Sequence, residues 1–122
     1  MGAGISNASF AEGKGNIQLL GKTMLYPTAN VSNGVANLYT VPAGKTFFLI
    51  GHFLRMRTTT LGDSSSIYGG ALLVDYLWAP ANGTANSQLS YANPIPFPTG
   101  TAFTIGASAT TTAIGLLIGW EE

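Results

Sequence analysis

His52 is the only histidine in this 122-residue chain, and there is no cysteine. For a nucleophilic triad, His52 would need a Ser or Thr beside it and Asp63 or Asp75 behind it. No Gly-x-Ser-x-Gly elbow accompanies these residues. A metal would have to draw on His52, Asp63, Asp75, Glu12, Glu121 and Glu122, a scattered set with no thiolate among them. Paired carboxylates for glycosidic chemistry have the same few acids to draw on, and Glu121 and Glu122 lie at the chain end, where solvation is expected. Ala43-Gly44-Lys45-Thr46 looks like the end of a phosphate-binding loop, but the motif requires a glycine at position 39, which is Tyr. The residues therefore predict no catalytic set, no metal and no cofactor. His52 reads as a hydrogen-bonded packing residue on a central strand. The alternative is that it meets its own copies near a symmetry axis.

Asp75 lies between Leu73 and Leu77 on one face of a strand pattern. A buried carboxylate is costly unless paired, which predicts an ion pair with Arg55 or Arg57 across neighbouring strands or across a subunit contact. Trp78, Asn82 and Trp120 make a candidate ligand platform if the chain binds carbohydrate. The competing expectation is that aromatics at alternating strand positions fill the core. Sequons at Asn7, Asn30 and Asn82 read as chance matches in an Asn/Thr-rich chain.

These residues must be positioned by one domain, since the length suits a single core. Only five basic and five acidic side chains are present, for a net charge of zero and a charged fraction of 8%. Ordinary soluble domains carry roughly 25%. Zero net charge argues against nucleic acid, whose binders show a basic patch. A surface built from Gly, Ser, Thr and Asn is a poor way to stay monomeric, so packing against copies or a larger assembly is expected. No signal peptide is visible, and no stretch approaches the roughly 18 apolar residues of a membrane span, so a soluble, cytoplasmically made chain is expected.

Lys45–Arg57, after the turn Val41-Pro42-Ala43-Gly44, is the central strand. Alternation places Phe47, Leu49 and Phe53 on one face and Phe48, Ile50, Leu54 and Met56 on the other. Gly51 signals a bulge or close backbone contact. Residues 1–15 read as a Gly-rich arm with Ile5 and Phe10 as its anchors, and residues 16–122 as the folded domain. Asn16–Tyr26 predicts a first strand. Asn33-Gly34 predicts a tight hairpin before Val35–Val41. Thr58–Ser66 is a loop, Ile67–Trp78 a strand pair broken at Gly69-Gly70, and Gln88–Tyr91 a short strand. Pro94, Pro96 and Pro98 mark an extended edge segment. Gly106–Thr111 reads as a loop. In the last strand, Ile114, Leu116, Ile118 and Trp120 are expected in the core, with Ala113, Gly115, Leu117 and Gly119 under another sheet or subunit. Seven or eight strands predict an all-β, antiparallel β-sandwich of jelly-roll type.

Two stretches carry a family resemblance: Tyr39–Leu49 (YTVPAGKTFFL), and Ile95-Pro96-Phe97-Pro98-Thr99-Gly100-Thr101 with the closing Ile118-Gly119-Trp120-Glu121-Glu122. Over roughly residues 35–122 this layout resembles small β-sandwich decoration or head-surface proteins of tailed bacteriophages. The resemblance implies a homo-oligomer, a trimer by preference, bound to the major capsid protein on the virion surface and stabilising the lattice. Membrane and nucleic acid are not among its implied partners. The alternatives are a carbohydrate-binding module, or a filament or fibre subunit that inserts its N-terminal arm into the next copy.

Overall fold

The computed structural model describes residues 18–19, 22–59, 63–79 and 83–122. The expected arm over residues 1–15, with Ile5 and Phe10, lies outside them. Within them the chain is all-β, as predicted: β1 (Gln18–Leu19), β2 (Lys22–Thr23), β3 (Thr28–Thr40), β4 (Phe47–Thr58), β5 (Ser64–Gly69), β6 (Leu72–Trp78), β7 (Thr84–Phe97) and β8 (Ala102–Glu121). Every ladder is antiparallel. The first strand expected over Asn16–Tyr26 is instead the small β1–β2 pair followed by an isolated bridge from Leu25 to Gly119.

β8 is the spine of the sandwich. Its first part, Ala102–Ala107, is flanked by β5 and by Gly34–Thr40 of β3. Its second part, Thr112–Glu121, is flanked by β4 and by Thr28–Ser32 of β3. One layer therefore runs β6-β5-β8-β3 and the other β7-β4-β8-β3, with β3 and β8 passing between them. This corrects two expectations. Asn33-Gly34 is no hairpin tip but the bend inside β3, with Asn33 at φ 46°. The expected loop at Gly106–Thr111 is the matching bend of β8, with Thr110 at φ 60°. Left-handed backbone is costly for a β-branched residue. The Thr110 hydroxyl donates to Asp63 Oδ2 at 2.5 Å, and Thr58 donates to the same oxygen at 2.9 Å. The Thr110 bond leads in holding the Asp63 carboxyl below its usual range.

The bulge expected at Gly51 is present, and it overturns the face assignment made from simple alternation. The β4 register slips between Leu49 and Gly51 against both neighbours. One extra residue flips everything after it. His52, Leu54 and Met56 therefore share the inward face with Phe47 and Leu49, while Phe53, Arg55 and Arg57 face outward. The inward set meets Ile67, Phe103 and Ile105 in one core. Phe103 anchors it edge-to-face, 5.5 Å from Phe47 and 4.7 Å from Phe97. On the far side of β4, Gln88–Tyr91 and the proline segment form the single strand β7. Its ladder jumps from Ser90 to Ile95 opposite that bulge. Pro94 and Pro96 lie on an edge strand, as proline requires.

The faces of β8 are also the reverse of expectation. Ala113, Gly115, Leu117 and Gly119 point into the sandwich and are buried. At the two glycines the interior is tight. A Cβ on Gly115 would lie 2.9 Å from Ile105 Cδ1, and one on Gly119 would lie 2.2 Å from the Phe48 carbonyl oxygen and 2.7 Å from the Phe47 ring. Ile114, Leu116 and Ile118 consequently face outward. Gly119→Ala must displace backbone, so urea titration should show a loss of about 1–3 kcal/mol, as overpacking does. Unchanged stability would contradict this packing.

Candidate functional site

The polar centre of the molecule joins its two layers. His52, fully buried on β4, lies between Asp75 of β6 and Tyr91 of β7. Its Nε2 is 2.7 Å from Asp75 Oδ2 and its Nδ1 is 2.5 Å from the Tyr91 hydroxyl. A neutral imidazole has one donor and one acceptor nitrogen. The carboxylate takes the Nε2 hydrogen, so Nδ1 accepts from the Tyr91 phenol. The second Asp75 oxygen accepts the Tyr76 backbone N–H at 2.7 Å. Burial, reinforced by the Asp75 carboxylate, pushes the Tyr91 phenol up to about 12. That keeps the proton on the hydroxyl and makes it a poor nucleophile. The trio is a satisfied polar bridge between sheets.

The hydrogen-bonded role expected for His52 is thus what the structure shows. A meeting of its copies at an axis is ruled out by its complete burial within one chain. Asp75 has its partner in His52, and the expected pairing with Arg55 or Arg57 does not occur within the chain. The β4 bulge decides this, since it turns His52 inward and both arginines outward. Tyr91 was missed, and its only signal is that a buried histidine needs two partners. Asp63 was missed as the anchor of the β8 bend.

The outer face of the β7-β4-β8-β3 layer is the most distinctive surface. Phe53, Leu116 and Ile118 are half-buried there and Ile114 is 40% exposed. At one end Arg55 and Arg57 line a groove of about 410 Å³ with Asn30, Ser32, Thr112 and Ile114. Neither arginine has an ion pair among the described residues. At the other end a mostly apolar cavity of about 460 Å³ is lined by Met24, Tyr26, Ile50, Tyr91, Pro94 and Ile118. Trp120 is buried on this side, stacked on Phe48 with centroids 5.3 Å apart. Its Nε1 donates to Glu122 at 3.0 Å, and Glu122 also pairs with Lys22. The Lys22 bond leads in holding the Glu122 carboxyl below its usual range. Glu122 is exposed, as expected at the chain end, and is also engaged by these two partners.

Of the candidate platform, Asn82 lies outside the described residues. Trp120 is covered, so it cannot share a stacking surface with Trp78. Trp78 is 53% exposed on the outer face of β6, beside Tyr76 at 55%. Among the described residues no cluster of metal-ligating side chains occurs, and no helix is long and apolar enough to cross a membrane.

No protein-family model matches the chain, and no curated protein does. Among solved structures, it is similar to a subunit of Bacillus endospore appendages, described as disulfide-linked pili. That likeness has 14% identity, covers 86% of this chain and 91% of that one, and has a TM-score of 0.41. The Macrobrachium rosenbergii extra small virus particle gives 11% identity, 86% and 82% coverage and a TM-score of 0.41. A carbohydrate-binding module of Cellvibrio mixtus lichenase 5A, solved with cellotriose, gives 16%, 85% and 90%, and 0.39. At this level the likenesses carry nothing about what the chain does.

The Tyr91 phenol sets a pH dependence. Its pKa is about 12 in the folded chain against 10.0 for the free group, so folding favours the protonated form. The contribution is complete below pH 10 and is lost as pH rises toward 12. Thermal melts from pH 8 to 11.5 should fall more steeply for the wild type than for Tyr91→Phe, and parallel curves would contradict the bridge.

Proposed function

We propose that this chain is a non-enzymatic structural subunit of a particle: a decoration protein made in the host cytoplasm that sits as an oligomer on the outer surface of a tailed-phage head and reinforces contacts between major capsid subunits. The observation that carries this reading is the inverted second part of β8, with Ala113, Gly115, Leu117 and Gly119 inside and Ile114, Leu116 and Ile118 outside. A lone domain gains by burying its large apolar side chains, at about 25 cal/mol per Å². Keeping Phe53, Ile114, Leu116 and Ile118 on an outer sheet face makes physical sense when another surface covers them. The sparse charge acts in the same direction, and many weak copies on a symmetric lattice gain strength by multivalency. Arg55 and Arg57 at the end of this face, without an ion pair among the described residues, suit a carboxylate on the capsid side.

A second reading rests on Tyr76 and Trp78, which lie side by side on an exposed strand face. Such a pair can stack on sugar rings, as carbohydrate-binding sandwiches do. It ranks lower because Trp120, the other aromatic of the expected platform, is buried.

The test is co-sedimentation of the purified chain with shells assembled from the major capsid protein encoded alongside it. Saturable binding is expected. Ile114→Ser with Leu116→Ser should weaken it by tenfold or more, since each lost side chain removes about 1.5 kcal/mol or more of burial. No binding to shells, together with retention on immobilised polysaccharide that Trp78→Ala abolishes, would replace this reading with the second.

A further inference from the structure

The β6-β5-β8-β3 layer has two open edges. Among the described residues β6 pairs only with β5, and Gly34–Thr40 of β3 pairs only with β8. Exposed strand edges offer unpaired N–H and C=O groups, and proteins usually blunt them with lysine, proline or a bulge. β7, the edge of the other layer, is blunted in this way by Pro94, Pro96 and the register jump between Ser90 and Ile95. The two edges here are interrupted by only one bulge each, between Asn37 and Tyr39 in β3 and between Leu73 and Asp75 in β6. Neither contains proline or lysine, and the single charge, Asp75, is turned inward onto His52. The two runs are also equal in length, from 34 to 40 and from 72 to 78.

We propose that copies of this chain join head to tail through these edges, the β6 strand of one copy adding to the Gly34–Thr40 edge of the next to make one continuous antiparallel sheet. Strand direction allows this without turning a copy over. Three antiparallel steps lead from β3 through β8 and β5 to β6, so β6 runs opposite to β3 and the ladder continues with all copies in one orientation. Side chains match as well. Val35, Gly106, Ser66 and Tyr76 form one cross-strand row on the outer face, with Val35 and Tyr76 at its ends. Val35 is 74% exposed and Tyr76 55%. In a continued sheet Tyr76 of one copy lies against Val35 of the next, an aromatic–β-branched pair of the kind that stabilises sheets. The contact is heterologous, so it closes into a ring such as a trimer or runs on as a filament, according to the rotation between copies. This deepens the assembly reading and rests on it. The outer face of the other layer stays free to sit on a shell.

The test uses native mass spectrometry on the full chain, with Val35→Lys and Tyr76→Lys, each at an exposed position, and circular dichroism to confirm folding. Val35→Thr keeps a β-branched edge and should associate like the wild type. Each lysine variant alone should be monomeric. Mixed, they should form a 1:1 heterodimer and nothing larger, because one supplies an intact β6 edge and the other an intact β3 edge. If the wild type associates but the lysine variants associate equally well, or if their mixture does not pair, the edge contact is wrong while the assembly reading stands. A wild type that is monomeric overturns both.

Discussion

The structure depends on how closely β8 lets its neighbours approach. This one strand belongs to both layers; at Gly119 the Phe48 backbone leaves no room for a methyl group, and at Gly115 the end of the Ile105 side chain would have to give way. Because β8 must be small on its inner face at these positions, the large residues Ile114, Leu116 and Ile118 between them go outward. The apolar outer face is thus a consequence of the core geometry. The same closeness brings β6 and β7 within reach of His52, so that one imidazole can tie the two layers together.

Charge is used sparingly, and among the described residues three of the four carboxylates are engaged. Asp75 holds His52, Asp63 accepts hydroxyls at the β8 bend, and Glu122 fastens the chain end to Lys22 and Trp120. Each carboxylate fixes a place where regular strand geometry fails or ends. Arg55 and Arg57 lie on the outer face without an ion pair among the described residues. Hydrogen-bonded polar groups in a domain with no disulfide specify how the sheets sit on each other, a task packing alone does less uniquely.

The fold class was legible in the sequence, and so were its punctuation marks. Gly51 announced the β4 bulge, Pro94 and Pro96 the edge strand, and Gly44 the turn before β4. Side-chain facing was not legible, for physical reasons. A bulge moves one residue, and with a period of two that single step reverses the rest of β4. Asn33-Gly34 supplies positive φ equally well to a hairpin tip or to a bend within a long strand. In β8, assigning the bulky face to the core assumes that the chain is alone in water. That assumption fails where the outside of a domain is itself covered. The Asp75 site was half legible: its need for a partner followed from burial, but which partner depended on the bulge.

One outer face too apolar for a lone domain, and two edges of matching length that have no further strand beside them among the described residues, describe a molecule built to be surrounded. The most direct measurement is the molar mass in solution by light scattering across a tenfold range of concentration. The account predicts a mass that is a multiple of the 12.6 kDa chain, with a trimer as the simplest closed form. A mass of 12.6 kDa at every concentration would contradict it.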